Sequence, residues 1–213
     1  MEDGQLIIGS IALMLGASWA SGINLYAAIL ALGLMGQSGG LELPPDLEIL
    51  ANPLVIGAAG FMYLVEFFAD KVPGVDTGWD AIHTFIRIPA GAMLAAAAVG
   101  EVDPAFQFAA LILGGSLAAA SHATKAGTRV VVNTSPEPFS NIGLSLVEDV
   151  AVFAGIWTAL HNPWLFLALL VLFLFAAAWA LPRIWRGVKR VFAWIGRLFG
   201  GGSSEAPNRN DSG

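Results

Sequence analysis

Residues 163–181, PWLFLALLVLFLFAAAWAL, carry no charged side chain. The run matches the ~20 apolar residues that a helix needs to cross a bilayer. In hydrocarbon a segment must satisfy its own backbone hydrogen bonds, and a continuous helix does so. The rest of the chain agrees with that reading. Of its 213 residues 56% are hydrophobic and only 12% charged, with a mean hydropathy of +0.71. A soluble domain usually carries about 25% charged residues. The expected fold is an all-α membrane protein. With no cysteine in the chain, disulfides and thiolate metal sites are excluded.

About seven hydrophobic segments can be read, roughly 5–20, 22–37, 50–70, 81–99, 104–122, 142–160 and 163–182. They form a transmembrane domain over residues 1–182. A basic amphipathic membrane-surface helix is expected at 183–199, and a polar, disordered tail at 200–213. Residues 88–99 are too few for a simple span, covering ~18 Å of a ~30 Å core. Either the polar helix before them enters the membrane too, or the segment is re-entrant. The first two segments meet at Ala20-Ser21-Gly22-Ile23-Asn24. Such a break is tolerated at membrane depth only where protein or a watery cavity satisfies the backbone. Asn52-Pro53 recurs as Asn162-Pro163, each opening an apolar helix, which suggests two related halves, 5–73 and 104–182.

Charge sets the expected orientation. Arg183, Arg186, Lys189, Arg190 and Arg197 follow the last span and place that end in the cytoplasm. Alternating backwards puts 161–162 outside, 125–129 inside, 101–103 outside, 71–87 inside and 42–48 outside. The N-terminus is then outside, and no Lys or Arg falls on the outer face.

Three polar constellations interrupt this apolar chain. In EFFADKVPGVDTGWDAIHTFIR, Glu66 and Asp70 share a helix face, followed by Lys71. Beyond Val72-Pro73-Gly74, Asp76, Asp80, His83 and Arg87 make one stripe of a helix. The stripe reads either as the polar wall of a cavity or as an interfacial amphipathic helix with mutually paired charges. In SHATKAGTRVVVNTSPEPFSN, His122, Lys125 and Arg129 form a second face. Gly127-Thr128 interrupt it, and Asn133 and Glu137 follow. This reads as an anion or headgroup site, or as an ordinary cytoplasmic loop. Ser145, Glu148 and Asp149 form the third, deep in the sixth segment, where adjacent acids need cations. Lys125, Arg129 or Lys71 are the available partners, and a structural lock between spans is the plainer alternative.

The strings VEFFADKVPGVDTGWDAIHTFIR, KAGTR, VNTSPEPFSN and SLVEDV resemble those of a family of small bacterial integral membrane proteins, domain-of-unknown-function family 4126. The resemblance covers roughly residues 5–182. It implies a multi-pass protein of the bacterial inner membrane and carries no established activity.

No HExxH, Walker or GxGxxG pattern occurs, so no metal or cofactor is expected and nucleotide hydrolysis is disfavoured. The segment RIWRGVKRVFAWIGRLF reads as a membrane anchor, not a nucleic-acid binder. The partners expected are the lipid bilayer and a small polar or anionic solute; the oligomeric state is left open. Broken helices, related halves and intramembrane charges favour a transporter or channel for such a solute. In it the pathway would involve Asn24 and the polar residues named above. The alternatives are a non-catalytic scaffold or assembly factor with a charge-locked core, and a membrane enzyme acting on a lipid headgroup or isoprenoid phosphate.

Overall fold

A computed structural model describes residues 2–39, 42–100, 102–134 and 139–199. Glu137 and the tail at 200–213 lie outside the described residues. The described residues form six α-helices and one short 3-10 helix: α1 (Glu2–Gln37), the 3-10 helix Pro45–Ala51, α2 (Pro53–Ala69), α3 (Val75–Ala98), α4 (Pro104–Val132), α5 (Phe139–His161) and α6 (Pro163–Phe199). Five helices are long and apolar enough to cross a membrane. The 3-10 helix and α2, bent by 66°, could make a sixth, broken span.

The packing is inside out relative to a water-soluble protein. Phe85, Phe108, Val147 and Phe175 are exposed, whereas Glu66, Asp80, Arg87 and Arg129 are wholly buried. Outward apolar side chains facing lipid and inward polar ones are what a bilayer requires. Small residues bring the helices close. A side chain on Gly22 would collide with Ala118 and Ser121, and one on Gly114 with Ala95 and Ser18. Close approach of this kind drives helix association in lipid, where apolar burial gives no gain.

Helix α1 is broken as the sequence suggests. Asn24 is non-helical, with φ −147 and ψ 98. Gln5, Leu6 and Gly9 share one cavity wall with Glu42, Pro44 and His161. A straight helix from Gln5 to Gln37 would measure ~48 Å, so the chain turns back at Asn24. The backbone at the turn is satisfied by protein: the Ala27 amide donates to Asn24 Oδ1 at 2.9 Å, and Lys125 Nζ donates to the Ile23 carbonyl at 3.0 Å. Asn24 thereby caps the second limb as a helix N-cap would.

Two open alternatives are decided and one expectation is corrected. Helix α3 starts at Val75, so residues 88–99 are its second half and need not be re-entrant; the helix continues through Pro89. Its polar stripe is buried against protein, with Ile82 and Phe85 turned outward, so α3 is not an interfacial helix. Helix α4 runs uninterrupted to Val132, so Lys125, Gly127 and Arg129 lie in a helix rather than a loop. Gly127 is there for packing, because a side chain would collide with Ile184 of α6. Helix α6 likewise passes through Pro182, joining the apolar run to the basic segment.

The native chain has no cysteine, so single cysteines report sidedness cleanly. Cysteines replacing the exposed Gly4, Ser38 and Asn162 should react with an impermeant thiol reagent from one face of the membrane. One replacing Thr134 should react from the other. Labelling of Gly4→Cys from the Thr134 face would contradict the reversal of α1.

Candidate functional site

The three polar constellations, far apart in sequence, converge on one buried network. Glu66 lies in the last turn of helix α2, and Asp70 follows as its C-cap. Gly74, with φ +88, turns the chain into α3, a conformation that glycine adopts without strain. Asp76 then closes the turn: its Oδ1 accepts from the amides of Gly74 at 2.8 Å and Thr77 at 2.6 Å. This geometry points the 76–80–83–87 stripe of α3 towards α4, where His122, Lys125 and Arg129 occupy the facing side.

Three bases organise the network. Arg87 donates to Glu66 at 2.7 Å and to Asp80 at 2.9 Å. Lys125 Nζ lies 2.7 Å from Asp70, 3.3 Å from Glu66, 3.7 Å from Asp80 and 3.8 Å from Glu148. Arg129 pairs with Glu148, lies 3.5 Å from Asp70 and 3.7 Å from Asp76, and donates to the Asp70 carbonyl and to Asn141 Oδ1. All three are at most 4% exposed. Asn133 donates to Asp76 and Thr77, joining the end of α4 to the start of α3.

Carboxylates outnumber the buried bases. Glu66, Asp70, Asp76, Asp80 and Asp149 are buried, and the Glu148 side chain is 12% exposed. Opposite these six stand Arg87, Lys125 and Arg129. One carboxylate oxygen on each of Glu66, Asp70, Asp76, Asp80 and Asp149 has no hydrogen-bond partner. Asp149 is held differently from the rest: its hydrogen bond comes from Asn24 Nδ2, at 3.3 Å, at the break of α1. Lys71, half-buried, donates to the Phe67 carbonyl and to Ser145 Oγ rather than forming a close ion pair, and its ammonium lies 3.0 Å over the Phe67 ring. Burial draws the Lys71 ammonium below its ordinary pKa, against the pull of Asp149 and Asp70.

Hydrogen-bond logic fixes the histidines. Arginine only donates, so the Arg87 contact at 3.2 Å makes His122 Nδ1 an acceptor. His122 Nε2 then carries the proton and donates to Thr84 Oγ1 at 2.8 Å, and Thr84 donates to the Asp80 carbonyl. His83 Nδ1 donates to the Trp79 carbonyl, its Nε2 meets the Tyr26 hydroxyl at 3.1 Å, and its ring stacks on Trp79. No cluster of three or more His, Asp or Glu arranged to hold a metal ion occurs among the described residues.

Of the residues singled out from sequence, all but Glu137, which lies outside the described residues, fall in or beside this network. Sequence reasoning missed Ser18, Ser21, Tyr26, Thr84 and Asn141. Ser18 and Ser21 donate to the Gly91 and Arg87 carbonyls, tying α1 to α3. Tyr26 had a signal: it is one of two tyrosines in the chain and sits just past the helix break. The others look like ordinary polar residues of apolar helices.

The family model described as "Domain of unknown function (DUF4126)" matches residues 11–183, and the chain belongs to that family. No curated protein and no solved structure is similar enough to match it.

Removing one partner of a buried pair leaves an uncompensated charge, at about 3–5 kcal/mol. Arg87→Met should lower stability by that order in a denaturing-detergent titration. Adding Glu66→Gln and Asp80→Asn should restore most of the loss, because the stranded acids become neutral. Arg183→Met, on an exposed helix face, should change little. A triple variant no more stable than Arg87→Met would show that packing, not charge balance, holds the cluster.

Proposed function

We propose that this member of the DUF4126 family is a transporter or channel for a small polar or anionic solute, with the charge network as its closed gate. The observation that carries this reading is the meeting of the broken helix α1 with the network. Asn24 bonds Asp149, and Lys125 holds the free Ile23 carbonyl. Broken helices whose exposed backbone ends meet charged groups near midplane are the usual architecture of a transport site. The acid surplus supports it further. A low-dielectric interior does not keep uncompensated carboxylates ionised, so the surplus acids bind protons or wait for a cation. Asp149, with no base within ion-pair distance, is the acid best placed to exchange a proton as the Asn24 turn moves.

In this reading the charged end of the bundle faces the cytoplasm of a bacterial inner membrane. Lys71 at the α2–α3 turn, Arg129 near the end of α4 and the bases of α6 lie towards that end, in keeping with the positive-inside rule. With α1 doubled back at Asn24, the N-terminus is outside and the C-terminus inside.

A scaffold or assembly role is favoured by a different observation. Glu66, Asp70, Asp80, Arg87, Lys125 and Arg129 are each at most 4% exposed and pair with one another. A pure lock predicts that charge removal changes stability alone.

Proteoliposomes loaded with a pH-sensitive dye separate the two. Inorganic phosphate, sulfate and lactate serve as probe solutes. Transport predicts solute-dependent proton movement that Asp149→Asn abolishes while helicity and stability persist. Flux unaffected by Asp149→Asn, Lys125→Ala and Arg129→Ala would sink the proposal.

A further inference from the structure

A second feature lies outside the charge network, on the flank where α6 covers α3 and α4. Two adjoining cavities there, of about 690 and 750 Å³, share Thr77, Val130 and Phe192 and so form one groove. Its deep end is apolar, walled by Ile88, Ala119 and Leu181. Its other end is polar, bounded by Asn133, Thr134 and Arg190. Thr84 and His122 sit in its floor. Along α3 the groove runs from Ile88 to Thr77, and along α6 from Leu181 to Phe192. Either path rises ~16 Å, about half of the ~30 Å hydrocarbon core. That length matches one acyl chain of a leaflet.

Towards the polar end Lys189, next to Arg190, lies 5.6 Å over the Trp185 ring. Aromatic rings paired with bases mark a membrane interface. At that end α6 presents Arg190 and the neighbouring Lys189, both exposed, with no acid in that helix. A groove with an apolar bed about one acyl chain long and bases at one end is complementary to one kind of occupant.

We propose that this groove binds a single anionic membrane phospholipid, with an acyl chain between α3, α4 and α6 and its phosphate at Arg190. The volume suits a bound small molecule of that order. The seated chain passes over the Thr84–His122 pair, and His122 touches Arg87. The site therefore borders the network without using its ion pairs.

The test is lipid binding to the intact protein in detergent, read by native mass spectrometry with phosphatidylglycerol, phosphatidylcholine and inorganic phosphate as separate probes. One phosphatidylglycerol per chain should bind in preference to phosphatidylcholine, and phosphate alone should not compete. Ala123→Phe, which fills the groove from an exposed position, should weaken binding about tenfold. Arg190→Gln should lose about fivefold of the anionic preference, the value of one base near an anionic headgroup. Ala154→Phe, in a different lateral cavity, should bind as the native chain does. On the native chain, a phosphatidylglycerol with a photoreactive acyl chain should crosslink to α4 and α6 around Ala123, Ala126 and Val188. Crosslinks elsewhere, equal binding by Ala123→Phe, competition by free phosphate, or a dimer that closes the groove would each overturn the assignment.

Discussion

One ammonium group ties this bundle together. Lys125, on α4, reaches the Ile23 carbonyl of α1, Glu66 and Asp70 at the end of α2, Asp80 on α3 and Glu148 on α5. Five helices thus share one cation that is 4% exposed. Taking a charge out of water is expensive, and the expense is offset only when several acceptors close around it. That constraint orders the rest. The acids must come within reach, α1 must break so that a free carbonyl faces the ammonium, and small residues must let α3 and α4 approach.

The two flanking arginines extend the same logic. Arg87 fixes α3 to the end of α2, and Arg129 fixes the α2–α3 turn to α5. The result is a layer of charge across the bundle, sheathed by Phe85, Val147 and other exposed apolar side chains. The layer is acid-rich, and one of its acids, Asp149, meets the break of α1. A lock designed only for rigidity has no need of surplus charge, because well-packed apolar residues hold helices at least as firmly. The surplus is what makes a gate the better reading.

Much of this was legible in the sequence, and for physical reasons. The charge-free run of α6 and the i, i+4, i+7, i+11 stripe of α3 are local patterns with fixed helical periods. The break at Asn24 was legible because Gly22 and Asn24 interrupt an apolar run. The failures have equally local causes. Gly127-Thr128 looked like a helix stop because glycine usually weakens helices, yet that glycine exists to admit Ile184. The stripe of α3 read equally well as interfacial, since periodicity shows that two faces differ and not which one meets lipid. Ser21, Thr84 and Asn141 could not be found, because their partners lie on other helices or at backbone carbonyls that no sequence pattern marks.

The central claim is that the network holds more carboxyls than its bases can neutralise, with exchangeable protons on the surplus. Infrared spectroscopy of the reconstituted protein at neutral pH tests it directly. The account predicts a protonated carboxylic acid C=O band that shifts on exchange into heavy water and weakens in Asp149→Asn. A spectrum in which every buried acid is ionised, unchanged by Asp149→Asn, would contradict it.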